Sequence, residues 1–146
     1  MNGRVFFDTN VLVYMFDRSE PAKRERAEER FKREGLAGNA VVSTQVLQEF
    51  YVIATHKLDP ALEPAKAYDA VKDLCALSLV HIHPDMVLAA IRRSQTAQLS
   101  FWDSLIIEAA VHGQCQTLLS EDLQDGQVID GVRVEDPFRP LAAPAA

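Results

Sequence analysis

Val5-Phe6-Phe7-Asp8-Thr9-Asn10 runs directly into Val11-Leu12-Val13-Tyr14-Met15-Phe16. Three apolar residues in a row, one β-branched and two aromatic, read as a short buried strand. Asp8, Thr9 and Asn10 stop that run and favour helix caps, and the residues after them predict a helix. A buried strand that turns into a helix opens an α/β unit, with an acid at the carboxyl end of the strand.

The same alternation continues outward. Glu20 to Glu34 is densely charged, with only Ala27 and Phe31 as an apolar ridge, so a mostly solvated helix is expected, ended by Gly35 and Gly38. Ala40-Val41-Val42 reads as a second strand, and Ser43-Thr44 caps a helix reaching about His56. Pro60 and Pro64 bracket a loop, Ala65 to Ala76 is helical, Leu79 to His83 alternates like a strand, and Pro84 opens a helix to about Gln98. Ser100 caps a helix from Phe101 to His112, Thr117-Leu118-Leu119 is a strand, and Asp130-Gly131 marks a hairpin. Strands alternating with helices predict a three-layer α/β/α sandwich with a mostly parallel central sheet. Residues 1–140 are expected to form a single domain, and the Ala/Pro-rich stretch 141–146 a disordered tail.

Composition narrows the class. The 146 residues are 48% hydrophobic and 25% charged, the mix of a globular protein and not of a disordered chain. Two cysteines, neither in a C-x-x-C pair, make no disulfide framework and suggest a reducing, cytoplasmic setting. No apolar run resembles a signal peptide or approaches the roughly 18 residues of a membrane span. The formal net charge of −6 opposes nucleic-acid binding unless something local reverses it.

Four acids stand out. Asp8 and Asp122 each follow a strand, where open parallel sheets bind ligands. Asp103 lies in the first turn after the cap Ser100, a capping box with Asp in place of Glu. Glu49 lies about 40° from Ile53 and about 60° from Val46 on the helical wheel, at the margin of an apolar face. Lys57 lies on the same side and is a weak candidate partner for it. Each acid also has a simpler explanation: a cap or turn for the aspartates, a snorkelling edge residue for Glu49.

The ordered set Asp, Glu, Asp, Asp resembles PIN domains, and among them the VapC-like toxins of bacterial toxin–antitoxin pairs. The resemblance rests on Val5-Phe6-Phe7-Asp8-Thr9-Asn10, Ser43 to Phe50, Ser100-Phe101-Trp102-Asp103-Ser104 and Leu118 to Leu123, with Gly126 and Val134 to Phe138 trailing. It spans about Arg4 to Pro140. It implies that Asp8, Glu49, Asp103 and Asp122 are the catalytic, metal-binding acids, supported by Asn10 and Ser120. Many members continue the last motif as Asp-x-Asp-Phe; here Asp125 falls one residue late, and its role stays open.

Crowded carboxylates with no required His or Cys select a hard ion, Mg²⁺ or Mn²⁺. The implied activity is a metal-dependent endoribonuclease using activated water and leaving 5′-phosphate and 3′-hydroxyl ends. The implied partners are RNA, a cognate antitoxin and a second copy in a homodimer, with no membrane. The apolar helix Val11–Phe16 would then lie under a partner or in the core. Arg92-Arg93, Lys57 and the basic residues of the Glu20–Glu34 helix are candidates for an RNA rim, or else solvated charge. Trp102 could stack a base, though tryptophan is more often core. A His81-x-His83 zinc site lacks a third ligand, and Cys115 reads as a small core residue. Two rival readings remain: a non-catalytic PIN scaffold binding RNA or protein, and a phospho-acceptor receiver domain. The latter lacks its expected Lys after the late strand.

Overall fold

A computed structural model describes residues 3–139; the stretch 141–146 lies outside them. Six strands form one sheet in the order β3-β2-β1-β4-β6-β5. The strands are β1 (Arg4–Phe7), β2 (Ala40–Ser43), β3 (Ser78–Val80), β4 (Cys115–Leu119), β5 (Val128–Ile129) and β6 (Val132–Glu135). All pair in parallel except β5 with β6. The helices are α1 (Thr9–Tyr14), α2 (Pro21–Leu36), α3 (Thr44–His56), α4 (Pro64–Leu74), α5 (Pro84–Ala97) and α6 (Phe101–His112).

The order explains the layers. From β1 the chain steps outward to β2 and β3, then returns past β1 to β4. Right-handed crossovers therefore put α1 to α4 on one face and α5 and α6 on the other. Contacts follow suit: α1 meets α2 and α3, α3 meets α4, and α5 packs on α6. The core centres on Phe6, Phe7, Val41, Val42, Leu118 and Leu119, all fully buried. Phe31 meets Phe7 edge-on at 5.5 Å between ring centroids, which fixes α2 on the sheet.

Local chemistry sets the boundaries. Asp8, Ser43 and Ser100 accept hydrogen bonds from the backbone N–H groups of Thr9, Val46 and Asp103 and so cap α1, α3 and α6. Pro21, Pro64 and Pro84 open the other three helices. The β5–β6 turn takes Asp130 and Gly131 at φ of 49° and 85°, the positive pair that a tight hairpin requires.

Several expectations need correction. β3 stops at Val80 because its neighbour β2 ends at Ser43 to cap α3. His81 and His83 therefore lie outside the strand, exposed, and share no sheet face. α2 runs through Gly35 to Leu36, and the chain turns at Gly38, φ 75°. That helix is also less solvated than its charge suggests: Glu34 is buried, and its carboxylate takes a 2.8 Å bond from Arg30 Nε. The apolar α1 needs no partner to cover it, since Val11, Leu12 and Val13 are buried and Phe16 packs on Phe50 in the core. Trp102 is 59% exposed and not core. Among the described residues, no helix is long and apolar enough to cross a membrane.

Candidate functional site

Parallel sheets form a crevice where strand order reverses, outside the carboxyl ends of the strands. Here that point lies between β1 and β4. Asp8 follows β1, and its N–H donates to Leu119 O at 3.0 Å. Ser120, Glu121 and Asp122 follow β4. The Ser120 hydroxyl donates to Asp8 Oδ2 at 2.7 Å and accepts from the Asp122 N–H at 3.1 Å. Asp8 Oδ1 takes the Thr9 N–H at 2.7 Å. Asn10, the second residue of α1, donates from Nδ2 to Asp122 Oδ2 at 2.9 Å.

The other two acids come from helices on opposite faces of the sheet, Glu49 from the middle of α3 and Asp103 from the first turn of α6. Glu49 projects from α3, and its carboxylate is held at both oxygens. Thr9 Oγ1 donates to Oε1 at 2.7 Å, and Gln45 Nε2 donates to Oε2 at 3.2 Å. The same Gln45 amide reaches the Trp102 carbonyl at 3.2 Å, tying α3 to the first turn of α6. Asp103 is the next residue, and its backbone is fixed by the Ser100 cap. Asp8, Glu49, Asp103 and Asp122 all line one cavity of about 610 Å³.

Electrostatics record their proximity. Burial raises the Asp8 carboxyl to about 7; bonds from Ser120 and Thr9 oppose the shift, and the charges of Asp122 and Glu49 add to it. Burial also raises Asp103, opposed by the Ser100 contact and reinforced by Asp122 and Glu49. Among the described residues lining the cavity, Lys57 is the lone cation, and it makes no ion pair with Glu49. Positive charge is therefore in short supply.

The donor set is oxygen only, which suits Mg²⁺ or Mn²⁺ and not a softer ion. Each bonded carboxylate oxygen keeps a free acceptor position beyond its present contact. Among the described residues, however, no three His, Cys, Asp or Glu side chains are gathered closely enough to ligate one ion as they stand. The residues fit a hard cation by chemistry and charge.

Several contacts had no sequence signal. Glu121 accepts from Tyr14 Oη at 2.7 Å and forms an ion pair with Lys23, whose ammonium also lies 4.8 Å from the Tyr14 ring centroid. This anchors the loop that carries Asp122. Gln45, four residues before Glu49, is the one such residue whose spacing hinted at its role. Other candidates fall elsewhere. Arg93 is tied to Glu108 and Asp130, and neither it nor Arg92 lines the cavity. Asp125 accepts the Asp136 N–H at 2.8 Å and does not line the cavity either. Burial raises the Cys115 thiol to about 11, so it stays protonated in the core.

Comparison with known proteins adds the family. A PIN domain family model matches residues 5–124. Curated proteins yield no match. Among solved structures, the sarcin-ricin loop cleaving toxin VapC20 of Mycobacterium tuberculosis superposes with a TM-score of 0.63 at 18% identity, covering 81% of this chain and 91% of its own. A toxin–antitoxin complex from Klebsiella pneumoniae gives 0.66 at 19% identity, covering 92% and 98%. DNA-bound VapBC from Salmonella typhimurium gives 0.64 at 20% identity, covering 94% and 99%. At these identities the likeness shows a shared fold.

Proposed function

Because the chain belongs to the PIN domain family, we propose that it is a metal-dependent endoribonuclease, the toxin of a type II toxin–antitoxin pair. The observation that carries this reading is the meeting of Asp8, Glu49, Asp103 and Asp122 on one cavity at the strand-order reversal. A binding scaffold has no use for four carboxylates on one cavity, one of them raised to about 7 by burial.

The chain's own groups have distinct tasks. Ser120 and the Thr9 N–H hold Asp8, Asn10 holds Asp122, and Thr9 with Gln45 holds Glu49. Asp103 faces the same space from the α6 N-terminus, whose dipole favours its charge. Lys57 supplies a positive group at the margin for a phosphate. A bound Mg²⁺ or Mn²⁺ would neutralise phosphate charge and make water nucleophilic at neutral pH. The cut would leave 5′-phosphate and 3′-hydroxyl ends. A homodimer bound by a cognate antitoxin completes the proposal. Its support is the toxin–antitoxin assemblies among the structural relatives and the exposed Tyr51, Val52, Tyr68 and Leu88 on α3 to α5.

The test is direct. RNA incubated with the purified chain should be cut in Mg²⁺ or Mn²⁺ and left intact in EDTA. Cutting that persists in EDTA and in Asp8→Asn points to a contaminant or another mechanism, whereas no cutting with either metal and no metal binding by calorimetry leaves only a scaffold. A second expectation concerns Thr9. Thr9→Val frees Glu49 Oε1 from its donor, and losing such an orienting contact costs about 10–100-fold in metal affinity. Calorimetry should show that loss with little change in the melting temperature.

A further inference from the structure

The indole of Trp102 is 59% exposed, while Ser104 to Ala110 of the same helix are buried. An aromatic ring of that size left in water forgoes a large burial gain. Its position is nonetheless fixed. The backbone belongs to the first turn of α6, and the Trp102 carbonyl is held by Gln45. Phe101 braces the ring edge-on, 5.0 Å between centroids at 73°. Trp102 lines the same cavity as the four acids, together with apolar Val13, Val52, Ile53 and Ile106.

Charge decides what such a ring is for. Among the described residues, Asp8, Asp17, Glu49, Asp103 and Asp122 line this cavity against Lys57 alone. Phosphate–cation contacts, the usual source of RNA affinity, are nearly missing. Seating must come from base stacking and apolar burial, which work without cations. We propose that Trp102 and the apolar wall beside it form a nucleobase subsite, where an unpaired base next to the cut bond stacks. This rests on the endoribonuclease reading and narrows it to RNA whose target base is free of a duplex, since a paired base has both faces covered by its neighbours.

Trp102 is the chain's one tryptophan, so its fluorescence reports the subsite alone. A short single-stranded RNA, titrated in EDTA and again in Ca²⁺, should quench it. The same strand in a duplex, or an abasic strand of equal length, should not. Kd by anisotropy of labelled RNA should weaken roughly tenfold or more in Trp102→Ala and stay near wild type in Trp102→Phe. Neither change touches the Gln45 bond, which uses the backbone, and melting curves confirm the fold. The plot of log Kd against log salt should be shallow, near one phosphate contact.

Equal quenching by the abasic strand, no quenching in either buffer, an unchanged Kd in Trp102→Ala, or a steep salt slope each overturns the subsite. Shielding of Trp102 only by a bound protein partner would give this face to that partner and overturn it too. Base-dependent quenching without Mg²⁺-dependent cleavage keeps the subsite and removes the nuclease. Cleavage and RNA affinity both indifferent to Trp102→Ala remove the subsite and keep the nuclease.

Discussion

Asp8→Asn is expected to make the metal-free protein more stable at pH 8 while abolishing RNA cleavage. The folded carboxyl titrates near 7 against an ordinary value of 3.8, chiefly because it is buried. Above pH 7 the folded chain carries a buried charge that the unfolded chain holds in water. Between about pH 4 and 7 the folded state binds the extra proton, so this group's penalty builds as pH rises across that window, is complete above 7 and is gone below about 4. The full span is on the order of 4 kcal/mol, from about three pH units at 1.36 kcal/mol each. Asn removes the charge and keeps the contacts. Its oxygen still accepts from the Thr9 N–H, and its amide can donate to the Ser120 hydroxyl. Urea melts in EDTA at pH 5.5 and pH 8 should show a wild-type-minus-variant difference that opens at the higher pH. Cleavage should drop at least about 100-fold, because several kcal/mol of charge stabilisation depend on this acid. A variant no more stable than wild type at pH 8 would mean that the Asp8 charge is well solvated.

Arg30→Ala is expected to lower stability by about 3 kcal/mol, a fall in melting temperature on the order of 10 °C. Arg30 and Glu34 have side chains only 15% and 11% exposed, and the guanidinium also bonds the Glu135 carboxylate of β6. Removing the arginine strands Glu34 without its close partner in a low-dielectric place. The double change Arg30→Met with Glu34→Leu removes both charges and should recover most of the loss. If Arg30→Ala alone costs under about 0.5 kcal/mol, the cluster behaves as an exposed surface pair.

Sequence carried the site further than it carried the surroundings. Asp8 and Asp103 were readable because each sits at a strand or helix start, where composition changes sharply. Glu49 was readable because a carboxylate at the margin of an apolar helix face is costly. That these belonged together came from family resemblance, since nothing local links residues 8 and 122. The supports were hidden for the same reason. Lys23 and Glu121 meet across 98 positions, and Arg93 finds Asp130 across 37. A charge-rich helix such as α2 looks solvated when its partner, Glu135, lies a hundred residues away. Trp102 departs from expectation because the preference of tryptophan for the interior is an average, and this one is exposed beside the candidate site.

The sheet also has a consequence for the order of folding. One of the two neighbours of β1 is β4, more than a hundred residues later in the chain. Ser120, which pins Asp8, and Asp122 arrive later still. A contact pattern this non-local favours slow, late consolidation. Until β4 and the turn after it dock, Asp8 lacks its Ser120 donor and Asp122 is out of place, so the acid cluster closes only once the two distant parts of the chain have met.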